Sequence, residues 1–421
     1  MRSFLTITIL LFFLTGCANI SALLPTPEPA TVPTSTSAPT ATPTAVTPSV
    51  TPGGPRTLRI WVPPQFDPAL ETPASALLQE RLDEFMSRRP NLQIEVRVKA
   101  ESGPGDLLNS LTATQAAAPS IMPDLVALTR ADLETATANG LLHPLDGLTT
   151  LLDDPDWYPY ARQMAHIQNT AFGLPFASDA LVLVGYRIPS PLAWNELPKE
   201  TIFIFPAADP SADFSLALYL SAGGTLQDNQ GRPTLDETVM ADTLSLYLPS
   251  TENSFISPTV INYENDEQAW NAFREQRGNL VVSWASRFLN EQSASLALAP
   301  LPGLETGQYT LATGWSWALA SPDPEIQPLA VELAEFLSDS QFLAKWTQAV
   351  GYLPTRPTAL SSWTDANLQI ILTQTAESAH LLPNQDLLAT VGPLFSEATL
   401  SVLNGEQLPL EAAQAAVEQL K

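Results

Sequence analysis

Residues 57–128 read as strand, helix, strand, helix, strand, and few folds accept that order. Residues 57–62 form a β-rich run. Leu78, Leu82 and Phe85 then recur at i, i+4 and i+7 as one face of a helix, with Arg88 and Arg89 at its dipole-negative end and Pro90 to stop it. Next, Leu92, Ile94, Val96 and Val98 alternate with Gln93, Glu95, Arg97 and Lys99, the period of a half-buried strand. A helical stretch over 107–117 leads through Pro123-Asp124 into the apolar strand 125–128. Strands joined through helices build a parallel sheet, so the expected class is α/β.

The pattern resumes with a strand at 201–205, a helix at 214–220, a helix at 266–274 and a strand at 280–284. Leu329, Leu333, Phe336 and Leu337, and later Leu410, Ala413 and Val417, have helical spacing, so the chain closes with helices. No internal repeat of 20–50 residues is present. The length of 421 residues accommodates two α/β units of ordinary size.

The first residues read as an address. Arg2 and the apolar run Ile7 to Leu14 form the first two regions of a secretory signal, too short to span a bilayer. Leu14-Thr15-Gly16-Cys17 resembles a bacterial lipobox, which implies cleavage before Cys17 and acylation of its thiol. Multiple acyl chains hold a protein stably at a membrane. No later stretch of about 18 apolar residues is expected, so the anchor is expected to be lipid alone. From Ala18 to Arg56 there are nine Pro and nine Thr, with Glu28 and Arg56 as the only charges. Such a segment buries too little apolar surface to fold and favours extended polyproline conformations, the properties of a tether.

Charge narrows the function classes. Asp+Glu 44 against Lys+Arg 19 gives a net charge of −25, which excludes the basic surface that nucleic-acid backbones require. Cys17 is the single cysteine, so no intrachain disulfide forms, and His143, His166 and His380 are too dispersed for a zinc cluster. No metal or other cofactor is expected. Catalytic signatures are missing as well: Gly314-Trp315-Ser316-Trp317-Ala318 fails the nucleophile-elbow pattern at its last place, and neither H-E-x-x-H nor a P-loop occurs. Asp153 and Asp154 precede Pro155 in an expected loop, with nothing to mark them as acid and base.

Several segments carry a more specific likeness. They are the helix and Arg88-Arg89-Pro90-Asn91 turn before the strand at 92–98; Pro123-Asp124-Leu125-Val126; Asn139-Gly140-Leu141-Leu142-His143-Pro144-Leu145; and Ala171-Phe172-Gly173-Leu174-Pro175 through Tyr186. Ala193-Trp194-Asn195-Glu196-Leu197, Gly223-Gly224-Thr225-Leu226 with Gly231 and Leu235-Asp236, Ala299-Pro300-Leu301-Pro302-Gly303, Gly314-Trp315 and Gly351-Tyr352-Leu353-Pro354-Thr355-Arg356 follow. In this order they resemble the extracellular solute-binding proteins of the carbohydrate type, the maltose-binding-protein-like family 1 that serves ABC importers. The chain departs from the family at Tyr186-Arg187, where Tyr-Asn is usual.

The resemblance implies a two-lobe periplasmic-binding-protein clamshell, type II-like, whose discontinuous lobes are joined by crossing strands and close on ligand by hinge motion. The implied organisation is 1–16 signal peptide, 17–56 lipidated Cys and tether, 57–178 plus 311–352 lobe one, and 179–310 plus 353–421 lobe two. The implied function is capture of a solute, a sugar or oligosaccharide first, and delivery to the permease subunits of an ABC importer. The expected protein is a lipid-anchored monomer on the extracytoplasmic face, and not an enzyme.

Candidate ligand contacts follow from strand ends, where α/β clefts form. Trp61 ends the first strand, Trp284 a lobe-two strand, and Trp315 with Trp317 follow a crossing. Gln65 and Asp67 follow the first strand, Asp179 lies in the crossing segment, and Tyr352 belongs to the Gly-x-Leu-Pro-x-Arg region, whose Arg356 is expected in an ion pair. Trp194, Trp346 and Trp363 are assigned to packing. Two alternatives keep the same fold: a sensory or interaction lipoprotein, and a binding protein for a cationic ligand such as a polyamine or peptide, since an acidic cleft attracts cations.

Overall fold

In the computed structural model, residues 56–188, 193–248, 255–291, 293–305 and 307–420 are described; the signal segment, Cys17 and the Pro/Thr-rich stretch lie outside them. The strand–helix alternation is present. β1 (Arg56–Val62) begins at the residue where the tether was expected to end. α1 (Pro73–Ser87) is capped by Thr72, whose side chain accepts from the Ser75 amide, and it buries Leu78, Leu82 and Phe85. β2 (Leu92–Val98) runs parallel to β1 at the sheet edge, which leaves Val98 42% exposed despite its inward period. α2 (Leu107–Ala117) follows, then β3 (Leu125–Thr129), parallel to β1 on its other side, and α3 (Arg130–Ala138). Asp124 locks this sheet, accepting from the Arg59 amide at 2.8 Å and the Ser321 hydroxyl at 2.6 Å.

α4 (Pro159–Met164) enters a small hairpin, β4 (His166–Ile167) and β5 (Thr170–Ala171). β6 (Gly173–Gly185) is buried at all thirteen positions, so its sequence carries no alternation to read. β7 is only Phe203–Ile204, shorter than the expected strand over 201–205. Then come α5 (Asp213–Ser221), α6 (Glu237–Ser245), α7 (Asp266–Arg274), β8 (Leu280–Trp284), α8 (Ala285–Glu291) and β9 (Ala297–Pro300). After β10 (Thr310–Leu319), the chain closes with α9 (Gln327–Leu337), α10 (Ser340–Val350), α11 (Pro357–Leu360), α12 (Ala366–Glu377), β11 (Ala379–Leu381), α13 (Gln385–Leu403) and α14 (Pro409–Gln419).

The sheet is mixed rather than parallel throughout. Its order is β2-β1-β3-β10-β6-β8-β7, with β9 on β6 and β11 on β10, and β10 runs antiparallel to both β3 and β6. Two hydrophobic cores flank it. One gathers side chains of β1, β3, α1, α9 and α10; the other those of β7, β8, α5, α7, α13 and α14. β6 and β10 supply both: Leu174, Phe176, Trp315 and Trp317 enter the first core, and Leu181 to Val184, Leu311 and Ala312 the second.

α13 corrects one expectation. By length and composition it is apolar enough to cross a membrane, but it buries Val391, Phe395, Ala398 and Val402 in the second core, where it packs on α5 and α14. Its apolarity serves the interior of a folded unit.

Candidate functional site

The two cores meet where β6 and β10 pass from one to the other. Ser178 faces Gly314 and Asp179 faces Thr313 across the pair. Gly314 is required there, because a Cβ would lie 2.3 Å from the Ala177 carbonyl oxygen and 2.8 Å from the Ser178 Cα. A third segment joins the crossing: Leu353 and Ser178 exchange two backbone hydrogen bonds of 2.8 Å, and the Ser178 hydroxyl lies 2.8 Å from the Tyr160 hydroxyl. This holds Tyr352 at the seam.

Asp179 is 7% exposed, and its Oδ1 accepts from the amides of Ala180 and Ser286, both at 3.0 Å. Burial pushes its carboxyl up to about 7, against the pull of the Ser286 hydrogen bonds and with a further push from the charge of Asp266. Beside it, Tyr352 is raised to about 12 by burial and by the charges of Asp179 and Glu101, while Trp315 and Gln65 next to its hydroxyl pull the value back. Gln65 Nε2 in turn donates to Glu101 Oε2 at 3.4 Å. Phe66 backs this group, its ring edge-on to Trp315 at 5.3 Å and to Tyr352 at 5.8 Å.

The second core contributes the turn from β8 into α8. Trp284 is half-buried at the end of β8, and Asp266 at the start of α7 accepts from the Ser283 hydroxyl at 2.6 Å and from Arg287 Nε at 2.9 Å. Asp209 and Asp213 lie within reach of that charge. Burial raises both carboxyls, and Asp213 reaches about 7, driven further by Asp209 and Asp266.

Of the residues singled out by sequence, Gln65, Asp179, Trp315 and Tyr352 come together, and Trp284 stands on the β8–α8 turn whose Ser286 binds Asp179. The others fall elsewhere. Trp61 and Trp317 are 2% and 3% exposed, packed inside the first core rather than open at strand ends; Trp61 lies beneath the Lys99 ammonium and Trp317 stacks on Phe176 at 4.5 Å. Even Trp315 is 4% exposed, its ring covered by Phe66. Asp67 is a turn residue that accepts from the Ala69 amide at 2.8 Å. Arg356 forms the expected ion pair in the interior, reaching Asp154 at 2.6 Å and Asp156 at 3.1 Å. Trp194, Trp346 and Trp363 pack in the cores.

Sequence reading missed Glu101, Ser286 and the Asp209–Asp213–Asp266 group. Glu101 had a usable signal, since it follows a parallel strand at the same end as Gln65. Ser286 reaches Asp179 through its amide and its side chain, and nothing in its local sequence marks a pairing with a residue 107 positions away.

Comparison with known proteins places this geometry. A model of the family described as bacterial extracellular solute-binding protein matches residues 80–369. Among solved structures, the sugar-binding protein MalE of Xanthomonas citri is similar with a TM-score of 0.69 at 17% identity, covering 87% of this chain and 96% of its own. The cyclic α-maltosyl-1,6-maltose binding protein of Arthrobacter globiformis gives 0.68 at 17% identity, covering 87% and 99%. A cyclo/maltodextrin-binding protein complexed with maltotetraose gives 0.68 at 19% identity, covering 87% and 97%. A comparison with curated protein sequences found no match. The fold is the two-lobe α/β arrangement of these proteins, and the chain belongs to the bacterial extracellular solute-binding proteins.

Proposed function

We propose that this protein captures a sugar or oligosaccharide between its two lobes and delivers it to the permease of an ABC importer. The observation that carries this reading is the seam itself. Hydrogen-bonding groups of Gln65, Asp179 and Tyr352 converge beside aromatic rings on the first core, with Trp284 on the second. Sugars present C–H faces to aromatic rings and hydroxyls to polar groups, and sites of this kind lie preferentially at domain interfaces. The sugar ligands of the similar solved structures favour the same class of solute.

Lobe one is taken as 57–178 plus 311–352 and lobe two as 179–310 plus 353–421, with β6 and β10 as hinge strands. Ligand that bridges the lobes binds the closed state better and shifts the population by that difference. Cys17 carries the lipid, and the Pro/Thr-rich segment holds the lobes away from the extracytoplasmic face of the membrane.

Isothermal titration with maltose, maltotetraose and a monosaccharide panel tests the solute class, the expected result being saturable binding lost in Trp284→Ala. Absence of binding to every sugar sinks it. Membrane fractionation of Cys17→Ser, expected in the soluble fraction, tests the anchor.

A further inference from the structure

The two ends of the sheet are finished differently. At one end β7 is only Phe203–Ile204, and its outer side is occupied: the Phe203 amide donates to the Phe255 carbonyl at 2.6 Å and the Ser257 amide to the Phe203 carbonyl at 2.9 Å. At the other end β2 is seven residues long, pairs with β1 without a break from Leu92 to Val98, and holds neither proline nor bulge. The Arg56 amide donates to the Asn91 carbonyl at 2.8 Å and the Lys99 amide to the Val62 carbonyl at 2.9 Å, so the odd-numbered residues between them turn their backbone groups to β1. Ile94, Val96 and Val98 turn theirs outward, and among the described residues none of those amides or carbonyls has a partner.

An open row of amides and carbonyls is a template for another strand, and proteins usually blunt an edge of this length with charge, proline or a bulge. Here the charges fit a copy of the same strand. In an antiparallel pairing about a two-fold axis through Val96, Val96 faces itself, Ile94 faces Val98 of the second copy, Glu95 faces its Arg97 and Gln93 its Lys99. The facing pairs formed by Ile94, Val96 and Val98 each exchange two backbone hydrogen bonds, and the closer pairs between them set Glu95 against Arg97. Moving the axis one residue either way sets Glu95 against Glu95 or Arg97 against Arg97. A two-fold interface requires this self-complementarity, since what one copy offers the other must accept. The net charge of −25 opposes association, yet residues 93–99 carry Arg97 and Lys99 against Glu95, a positive surplus drawn to the acidic body of the other copy.

We propose that β2 pairs with β2 of a second copy, joining two sheets edge to edge in a two-fold dimer in place of the monomer expected from the sequence. Val98, 42% exposed in the single chain, is then covered by Ile94 of the second copy. A strand edge buries less than the roughly 1,200–2,000 Å² of a stable interface, so the dimer is weak and reversible. The pairing uses no residue of the seam and stands apart from the reading of the solute site.

The test uses the full chain carrying Cys17→Ser, which leaves no other cysteine. Sedimentation up to millimolar concentration should show a monomer–dimer equilibrium, with the dimer lost in Val96→Pro and in Val98→Pro. Each substitution removes an outward amide and leaves the bonds to β1 in place, and near-ultraviolet circular dichroism shows which variant keeps the fold. On mild oxidation, a mixture of Glu95→Cys and Arg97→Cys chains should form disulfide-linked dimers at least tenfold faster than either variant alone, because such a facing pair brings its Cα atoms to about 4.5 Å. Should both proline variants unfold, the cysteine pair decides. A chain that stays monomeric at every concentration overturns the proposal, as does a dimer that persists in a folded proline variant, or cross-linking of Glu95→Cys alone as fast as that of the mixture.

Discussion

Ser286 and Asp179 stand 107 positions apart in the chain, and the Ser286 amide donates to Asp179 Oδ1 at 3.0 Å. That bond ties the first turn of α8 to the strand that passes between the cores. A carboxylate at this crossing senses both the burial of the seam and the charge of Asp266.

Stability should therefore depend on pH in a defined sense. Asp179 and Asp213 titrate at about 7 in the folded protein against 3.8 ordinarily, so between those values the folded state keeps protons that the unfolded chain releases. Their contribution falls as pH rises through that window and is level above it, by up to ~4 kcal/mol for each group. In calorimetry from pH 4.5 to 8, Asp213→Asn should gain stability over the parent as pH rises, a comparison in which the other titrations cancel. A constant difference would contradict the buried charge.

Arg356 should be a principal stabilising residue. Its guanidinium meets Asp154 and Asp156, donates to the Ser338 carbonyl at 3.2 Å and lies 4.7 Å from the Trp157 ring. Removing one partner of a buried pair costs about 3–5 kcal/mol, so Arg356→Ala should lower the urea midpoint strongly, and Arg356→Lys should recover only part because it lacks the planar fork. Burial pushes the Asp156 carboxyl up, but hydrogen bonds from Thr358 and Ser340 and the charge of Arg356 outweigh it and hold the value below the ordinary one. Its contribution is present above pH 3.8 and is lost on further acidification. A midpoint shift within error in Arg356→Ala would refute this role.

Gly314→Ala places a methyl group against backbone rather than against a side chain that can turn away. Overpacking of this kind costs about 1–3 kcal/mol. Because β6 and β10 must spread to admit the methyl, solute affinity should fall along with the denaturation midpoint; loss of stability with unchanged affinity would separate the crossing from the site.

Trp284 and Trp363 make a paired test. Trp363 is buried in the second core, so Trp363→Ala should cost about 3–5 kcal/mol and leave affinity alone. Half-buried Trp284 should do the opposite, with affinity down at least tenfold and a small change in melting temperature. Equal behaviour of the two in titration and calorimetry would remove Trp284 from the site.

Local patterning sufficed for much of the fold. Leu78, Leu82 and Phe85 mark a helix because their period is 3.6, and Asp266 to Arg274 and Leu280 to Trp284 occupy the element types read for them. Helix ends also have local causes, as at Asp106, which caps α2 with a carboxylate that accepts from the Asn109 amide. Period and capping are properties of neighbours in the chain, so sequence by itself determined them.

The site was legible only in part. Gln65, Asp179 and Tyr352, singled out from strand ends and a family likeness, lie together in the structure, but a strand end says nothing about which face a ring takes. Trp61 and Trp317 lie inside because their neighbours across the sheet, Val126 and Ala127, leave room that large rings fill. The antiparallel insertion of β10 between β3 and β6, the passage of both long strands through two cores, and the meeting of Asp179 with Ser286 join residues more than a hundred positions apart. Such pairings depend on the burial and backbone hydrogen bonding of the whole sheet, and tertiary structure alone decided them.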